Sequence, residues 1–160
     1  MKRHLLILSL LLLTATSASA QTAYAVWCAG AKTLYFDYTT SSITAGSTYQ
    51  GQTVTNVWSG EDVLNTNFFY YGGKWGVTCC VWYDAAHTTA ERVVIKDAFS
   101  GAPVKKTRGW FYEFGNLPVV EGLGNISGDY LEDTHRMFYV CKQLTSLDLS
   151  GFQTPNVTDM

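Results

Sequence analysis

The sequence predicts an α+β chain: a β-rich N-terminal cap followed by a short solenoid whose units each hold one β-strand and one short helix. Three observations carry this expectation. Trp110-Phe111-Tyr112 with Leu117 reappears as Met137-Phe138-Tyr139 with Leu144, an offset of 27 residues that also relates Val93, Val120 and Leu147. A fixed period of this size marks stacked units, each burying its apolar face on a neighbour. Leu147 and Leu149 alternate with Ser146, Asp148 and Ser150, so a strand there presents apolar side chains to one face only. Finally, 5 Trp, 10 Tyr and 8 Phe against 3 Pro suit a packed β-rich protein and not a disordered stalk.

In chain order, Lys2-Arg3-His4, the apolar run Leu5 to Leu13 and the small residues Ala18-Ser19-Ala20 have the form of a secretory signal cut after Ala20. The apolar run is too short to cross a bilayer as a stable helix, and no cysteine at the cut offers a lipid attachment point. Residues 1–20 are therefore assigned to a signal peptide, 21–89 to the β-rich cap and 90–160 to the repeats. The expected location is secreted or cell-surface. Without Lys2 and Arg3, nine basic residues face thirteen acidic ones, a net charge of −4. No basic stripe tracks a phosphate backbone, which argues against nucleic acid as a partner. No second apolar run approaches a transmembrane span in the mature chain.

Tyr24, Val26 and Cys28 alternate, Ala29 to Lys32 can turn, and Leu34, Phe36 and Tyr38 alternate again, predicting a β-hairpin with Tyr35 and Asp37 on the face opposite Phe36. Thr39 to Thr55, rich in Ser, Thr, Gly and Gln, predicts a long loop with at most a weak strand. Val57-Trp58 and Phe68 to Tyr71 are apolar, Gly72-Gly73 signals a turn, and Val77 to Trp82 predicts a strand. This region is too small for a large core of its own, so its expected job is to cover the apolar end of the first repeat. Cys79 and Cys80 are adjacent and would form a strained bridge, so the expected disulfide joins Cys28 to Cys79 or Cys80. Cys141, at the repeat position of Phe114, reads as a buried small apolar residue.

In the repeats, Leu144-Thr-Ser-Leu147-Asp-Leu149 is the L-x-x-L-x-L phrase of a leucine-rich repeat, and Leu117-Pro-Val-Val120-Glu-Gly-Leu123 carries it with one extra glycine. Leu131, Thr134 and Phe138 are spaced like one face of a connecting helix. The expected core of a leucine-rich-repeat solenoid is then Val93, Ile95, Trp110, Phe111, Leu117, Val120, Leu123, Met137, Phe138, Leu144, Leu147 and Leu149. The run Leu144-Thr-Ser-Leu-Asp-Leu-Ser-Gly-Phe-Gln-Thr-Pro-Asn-Val-Thr-Asp-Met160 resembles the BspA-like leucine-rich repeat of bacterial surface proteins, as does Met137-Phe138-Tyr-Val-Cys-Lys-Gln-Leu144 before it. The stretch from Trp82 to Tyr112 is similar to the lead-in of such arrays. Leu131-Glu-Asp-Thr-His stands where the family carries Val-Thr-Asp-Met, so the middle copy is degenerate. The resemblance implies a secreted or surface-displayed bacterial protein, of a family linked to adhesion to host proteins and other bacteria, with its array truncated at Met160.

Residues with reactive chemistry are present but not grouped for it. Cys79, Cys80 and His87 lack the second ligand pair of a zinc site. Cys80, His87 and Asp84 sit in no cysteine-nucleophile signature. Glu121, Glu132 and Asp133 read as solvated acids or acids at a helix start, not as a glycosidase pair. Asn125-Ile-Ser127 and Asn156-Val-Thr158 match glycosylation acceptors, and the same residues are natural in turns. No metal, no cofactor and no enzymatic activity is expected. What remains is surface: Arg92, Val94 and Lys96, then Val119 and Glu121, then Ser146 and Asp148 form an expected outward row for binding host or bacterial surface proteins. The alternative is a secreted carbohydrate-binding or carbohydrate-active module, stacking glycans on Trp58, Trp75 and Trp82 of the aromatic N-terminal region.

Overall fold

A computed structural model describes residues 19–66 and 80–160. Thr22–Cys28 (β1) and Thr33–Thr39 (β2), rich in aromatic and β-branched residues, pair antiparallel as the expected hairpin. Between them Ala29–Ala31 makes one 3-10 turn, closed by Lys32 in the left-handed region at φ 50°. The register sets Ala25 opposite Phe36 and Val26 opposite Tyr35. Both faces of the hairpin are buried: Ala23, Ala25, Trp27, Leu34 and Phe36 on one side, Val26, Cys28 and Tyr35 on the other.

The hydroxyl-rich stretch that follows holds only two two-residue strands, Thr48–Tyr49 (β3) and Gln52–Thr53 (β4), turning through Gln50 and Gly51, both at positive φ. It folds over the sheet, with Ile43, Tyr49 and Val54 packing on Val26, Cys28 and Tyr35. Asn56–Ser59 (β5) then pairs antiparallel with β1, and Glu61–Leu64 (α1) makes a single helical turn. Phe68 to Tyr71, Gly72-Gly73 and the start of the strand expected at Val77 to Trp82 lie outside the described residues. Val81 and Trp82 form a turn into Tyr83–Ala86 (α2), not a strand.

Arg92–Ile95 (β6) pairs parallel with β2, and Val119–Glu121 (β7) pairs parallel with β6. The order is β5-β1-β2-β6-β7, a mixed five-stranded sheet beside the small β3-β4 hairpin. This overturns the expectation of a cap joined to a leucine-rich-repeat solenoid. Strands from both parts of the chain lie in one sheet over one core. The connections after β6 and β7 are the 3-10 turns Asp97–Gly101 and Leu123–Asn125 and further irregular turns, with no α-helix. No helix forms over Leu131 to Phe138, where Arg136 takes a φ of 55° that a right-handed helix does not admit. The third copy of the phrase forms no strand either: Leu144 and Leu147 are half-buried and Leu149 is 56% exposed, so nothing rewards its alternation. Of the expected core residues, Val93, Ile95, Trp110, Phe111, Leu117, Val120, Leu123 and Met137 are buried, and Phe138 is half-buried.

The offset of 27 residues is instead a pairing register, setting Arg92 beside Val119 and Lys106 beside Asp133 in parallel. In the turns beyond β6, the N–H groups of Thr107, Gly109, Phe111 and Glu113 donate to the carbonyls of Asp133, His135, Met137 and Tyr139 at 2.7 to 3.0 Å. Rings follow the same register: Phe111 stacks on Phe138 at 5.4 Å and Tyr112 on Tyr139 at 5.0 Å. The layers close tightly at Gly128, where a Cβ would stand 2.2 Å from the Gln153 carbonyl oxygen.

The main core lies on the β-sheet face that carries Phe36. Phe36 stacks flat on Trp110 at 4.5 Å and meets Trp82, Phe99 and Phe111 edge-on at 5.2 to 6.0 Å. Truncating such a ring removes its burial and leaves a cavity, so Phe36→Ala is expected to lower the unfolding free energy by about 3–5 kcal/mol. Leu149→Ser, at an exposed position, should cost under about 0.5 kcal/mol. Val140→Gly should stabilise by up to about 1 kcal/mol, because a β-branched residue at φ 60° is strained and glycine is not. Equilibrium urea denaturation reads all three.

Candidate binding face

Alternation along the two parallel strands decides which side chains reach solvent. Val93, Ile95 and Val120 turn inward, so Arg92 and Val94 on β6, and Val119 and Glu121 on β7, turn outward, with Lys96 following on. The register brings Arg92 beside Val119 and Val94 beside Glu121. Across the diagonal the Arg92 guanidinium forks onto the Glu121 carboxylate, with Nε and Nη2 each 2.7 Å from an oxygen. That pairing lowers the Glu121 carboxyl and raises the Arg92 guanidinium from their ordinary values. The pair is about half exposed on both sides, which limits its contribution to stability to about 1 kcal/mol or less.

Beyond the strand ends, Gly122 turns the chain at φ 75°, in a place where a Cβ would lie 2.1 Å from the Ile95 oxygen. The Asn125 amide then donates to that same carbonyl at 2.9 Å and to the Asp97 carboxylate at 3.1 Å. These residues, with Val94, Lys96 and Glu121, line a cleft of about 360 Å³. Elsewhere on this side of the sheet, Val26, Cys28 and Tyr35 lie beneath Ile43, Tyr49 and Val54. The cleft and Asn125 were not singled out in the sequence as binding features, though a Gly followed three residues later by Asn is a turn signal of the right kind.

Five residues of the expected binding row therefore share one face: Arg92, Val94, Lys96, Val119 and Glu121. Ser146 and Asp148 are exposed but joined to no strand. Asp148 instead accepts the Ser150 N–H at 2.8 Å, and hydrogen bonding from the Ser150 side chain, then from its N–H, lowers its carboxyl.

The other candidates are engaged in packing or local bonding. Cys28 sits under the β3–β4 loop, while Cys80 lies in the core on the opposite side of the sheet and donates to the Trp110 carbonyl at 3.2 Å. Cys28 and Cys80 thus pack in separate clusters and do not meet as the expected Cys28–Cys80 bridge would require; Cys79 lies outside the described residues. Cys141 is half-buried and donates to the Phe111 carbonyl, and burial pushes its thiol up to about 11. His87 stacks on Tyr83 at 3.8 Å, with Nδ1 at 2.8 Å from the Tyr83 carbonyl oxygen. Asp133 meets Arg108 at 3.0 Å, and Glu132 is exposed. The Asn156 amide donates to the Asp129 carbonyl at 3.1 Å, so both glycosylation-type asparagines hold turns together. Trp82 is fully buried, its indole N–H donating to the Trp110 carbonyl at 2.9 Å, and Trp58 is half-buried against it; Trp75 lies outside the described residues.

Among the described residues no group of three or more His, Cys, Asp or Glu side chains could hold a metal ion, and no helix is long and apolar enough to cross a membrane. No family model, no curated protein and no solved structure matches the chain.

Because the folded Glu121 carboxyl is lowered, its contribution is present above the ordinary carboxylate range and is lost as pH falls through the lowered folded value. Glu121→Gln should therefore cost up to about 1 kcal/mol at neutral pH, and the difference from the native protein should shrink as pH falls through the lowered folded value. Denaturation of both proteins across that range measures it; a difference constant with pH would place the cost elsewhere.

Proposed function

We propose that this is an exported bacterial protein, secreted or displayed at the cell surface, that works without catalysis by binding other proteins. The binding surface is the outward face of β6 and β7 with the cleft at its end. The observation that carries this reading is the contrast along one side of the sheet: a loop covers Val26, Cys28 and Tyr35, whereas Arg92, Val119 and Glu121 face solvent. The face sets exposed Val119, and Val94 half-buried against the loop-covered cluster, beside an ion pair neutralised within the chain and a further cation at Lys96. That balance suits a protein surface, where apolar contact and a few oriented polar groups supply affinity, better than a polyanion. The signal-like Lys2 to Ala20 supports export, and the resemblance of Leu144 to Met160 to BspA-like repeats supports a partner on host or bacterial surfaces.

The carbohydrate reading is weaker, because the Trp82 ring is buried and its N–H is already bonded. The test uses the purified protein, immobilised and exposed to intact bacterial cells and to host extracellular-matrix proteins. Saturable binding is expected, weakened about tenfold or more by Val119→Asp combined with Lys96→Glu, a loss typical of disrupting the centre of an interface. Equal binding by the double variant removes the β6–β7 face from the reading. Binding to a glycan array that is lost in Trp58→Ala would favour the carbohydrate alternative.

A further inference from the structure

The hydroxyl-rich stretch after β2 closes a further pocket, on the face of the sheet opposite Trp58 and Trp82. It holds about 300 Å³, and its walls include Asp37, Ser41, Ser42, Ser47, Thr48 and Tyr49. One carboxylate thus stands among hydroxyls. Asp37 Oδ1 accepts the Tyr38 N–H at 2.8 Å, and Oδ2 accepts the Tyr49 hydroxyl at 2.7 Å. An ionised carboxylate offers about four acceptor sites, so part of its capacity stays open in a side chain that lines the cavity. Burial, then the bond to Asp37, pushes the Tyr49 phenol above its ordinary value, so Tyr49 remains a donor and holds the carboxylate in place.

The wall is held by the chain's own bonds. Gly46 N–H donates to the Val54 carbonyl and Val54 N–H to the Ser47 carbonyl, both at 2.9 Å, while Ile43, Tyr49 and Val54 pack on Val26 and Tyr35. Thr39 Oγ1 accepts the Ser41 N–H at 3.1 Å, and the Ser47 hydroxyl donates to the Thr44 carbonyl at 2.6 Å. Among the described residues the exposed Ser42 and Thr48 hydroxyls meet no protein partner. A wall already in place lowers the ordering cost of binding, and open hydroxyls can both donate and accept.

We propose that this pocket binds a neutral sugar unit. Adjacent ring hydroxyls donate to the open lone pairs of Asp37, the Ser42 and Thr48 hydroxyls bond further oxygens of the ring, and its C–H face packs on Ile43 and the Tyr49 ring. The volume lies at the lower end of the ligand-pocket range of about 300–1,000 Å³, which suits one sugar unit and not a long chain. A metal ion is a poor occupant, because calcium takes six to eight oxygen ligands, largely from several carboxylates, and Asp37 is the one carboxylate in the lining. An organic cation is also disfavoured. The β2–β6 pairing sets Phe36 beside Ile95 and continues, with Lys96 N–H donating to the Phe36 carbonyl at 2.9 Å, so Lys96 follows next to Asp37 and its charge opposes that of the carboxylate. The pocket shares no lining residue with the β6–β7 face, so this inference stands or falls separately from the proposed function.

The test is an NMR titration of the protein with glucose, galactose, mannose and N-acetylglucosamine. Saturable amide shifts at Asp37, Ser42, Thr48 and Tyr49 are expected with at least one of them, at a Kd of about 1–10 mM. Asp37→Asn keeps the side chain's shape and an acceptor for Tyr49, and should weaken binding about tenfold or more. Ser42→Ala combined with Thr48→Ala, both at exposed positions, should weaken it about fivefold with thermal unfolding unchanged. Val119→Asp and Trp58→Ala should each leave it unaltered, which separates this pocket from the β6–β7 face and from the tryptophan region. Absence of saturable shifts with all four sugars overturns the proposal, as does binding that survives Asp37→Asn at full strength. Saturable shifts at the same residues with free arginine or calcium chloride, and with no sugar, would overturn the assignment of a neutral ligand.

Discussion

Trp110 lying flat on Phe36, 4.5 Å between centroids and 5° between planes, is the contact on which the rest of the fold depends. Phe36 belongs to the central strand β2, and Trp110 to the turn that starts the layered half of the chain. Two polar atoms of Trp110 each tie in a further segment: the indole N–H donates to Thr66 beyond α1, and the carbonyl accepts from Trp82 and Cys80. A buried tryptophan needs these partners, since an unmet N–H or carbonyl in an apolar core costs about 1–3 kcal/mol. Hydrophobic burial thus supplies the driving force, and the bonds to Trp110 decide which segments meet around it.

Away from this centre, different forces hold successive layers in step. Rings of equivalent residues stack in the middle, as Phe111 on Phe138 and Tyr112 on Tyr139. Charges do so at the margins, where Arg92 reaches Glu121 and Arg108 reaches Asp133. A slip by one residue would turn every inward side chain of β7 outward and separate both ion pairs. Glycine then permits the approach: at Gly122 and Gly128 the neighbouring carbonyl occupies the space where a side chain would begin.

Local features of this architecture were legible in the sequence. The β1–β2 hairpin could be read because alternation and a turn lie within twenty residues of each other, and most apolar positions assigned to the core are buried. The offset of 27 was legible as well, but its meaning was not. A repeat spacing fixes which residues become neighbours, yet it does not say whether the chain between them winds as a helix, and left-handed φ at Arg136 and Val140 is not encoded by a Gly or Asn. Nor could alternation within β2 or β6 reveal that the two pair in parallel, because that pairing joins Thr33 to Arg92 and no local signal spans the gap. For the proposed binding face, the outward residues of β6 and β7 followed from alternation alone, whereas Ser146 and Asp148 needed a strand that never forms.

The parallel pairing of β2 with β6 has a kinetic consequence. The β1–β2 hairpin is local and can close within microseconds, but one of its apolar faces stays bare until β6, Phe99 and Trp110 arrive from far along the chain. Contacts of such high sequence separation make folding slow relative to a helical protein of the same size. During synthesis the first half of this protein is therefore a sticky, half-finished sheet with open edges, and its yield depends on what shields those edges before residue 110 emerges.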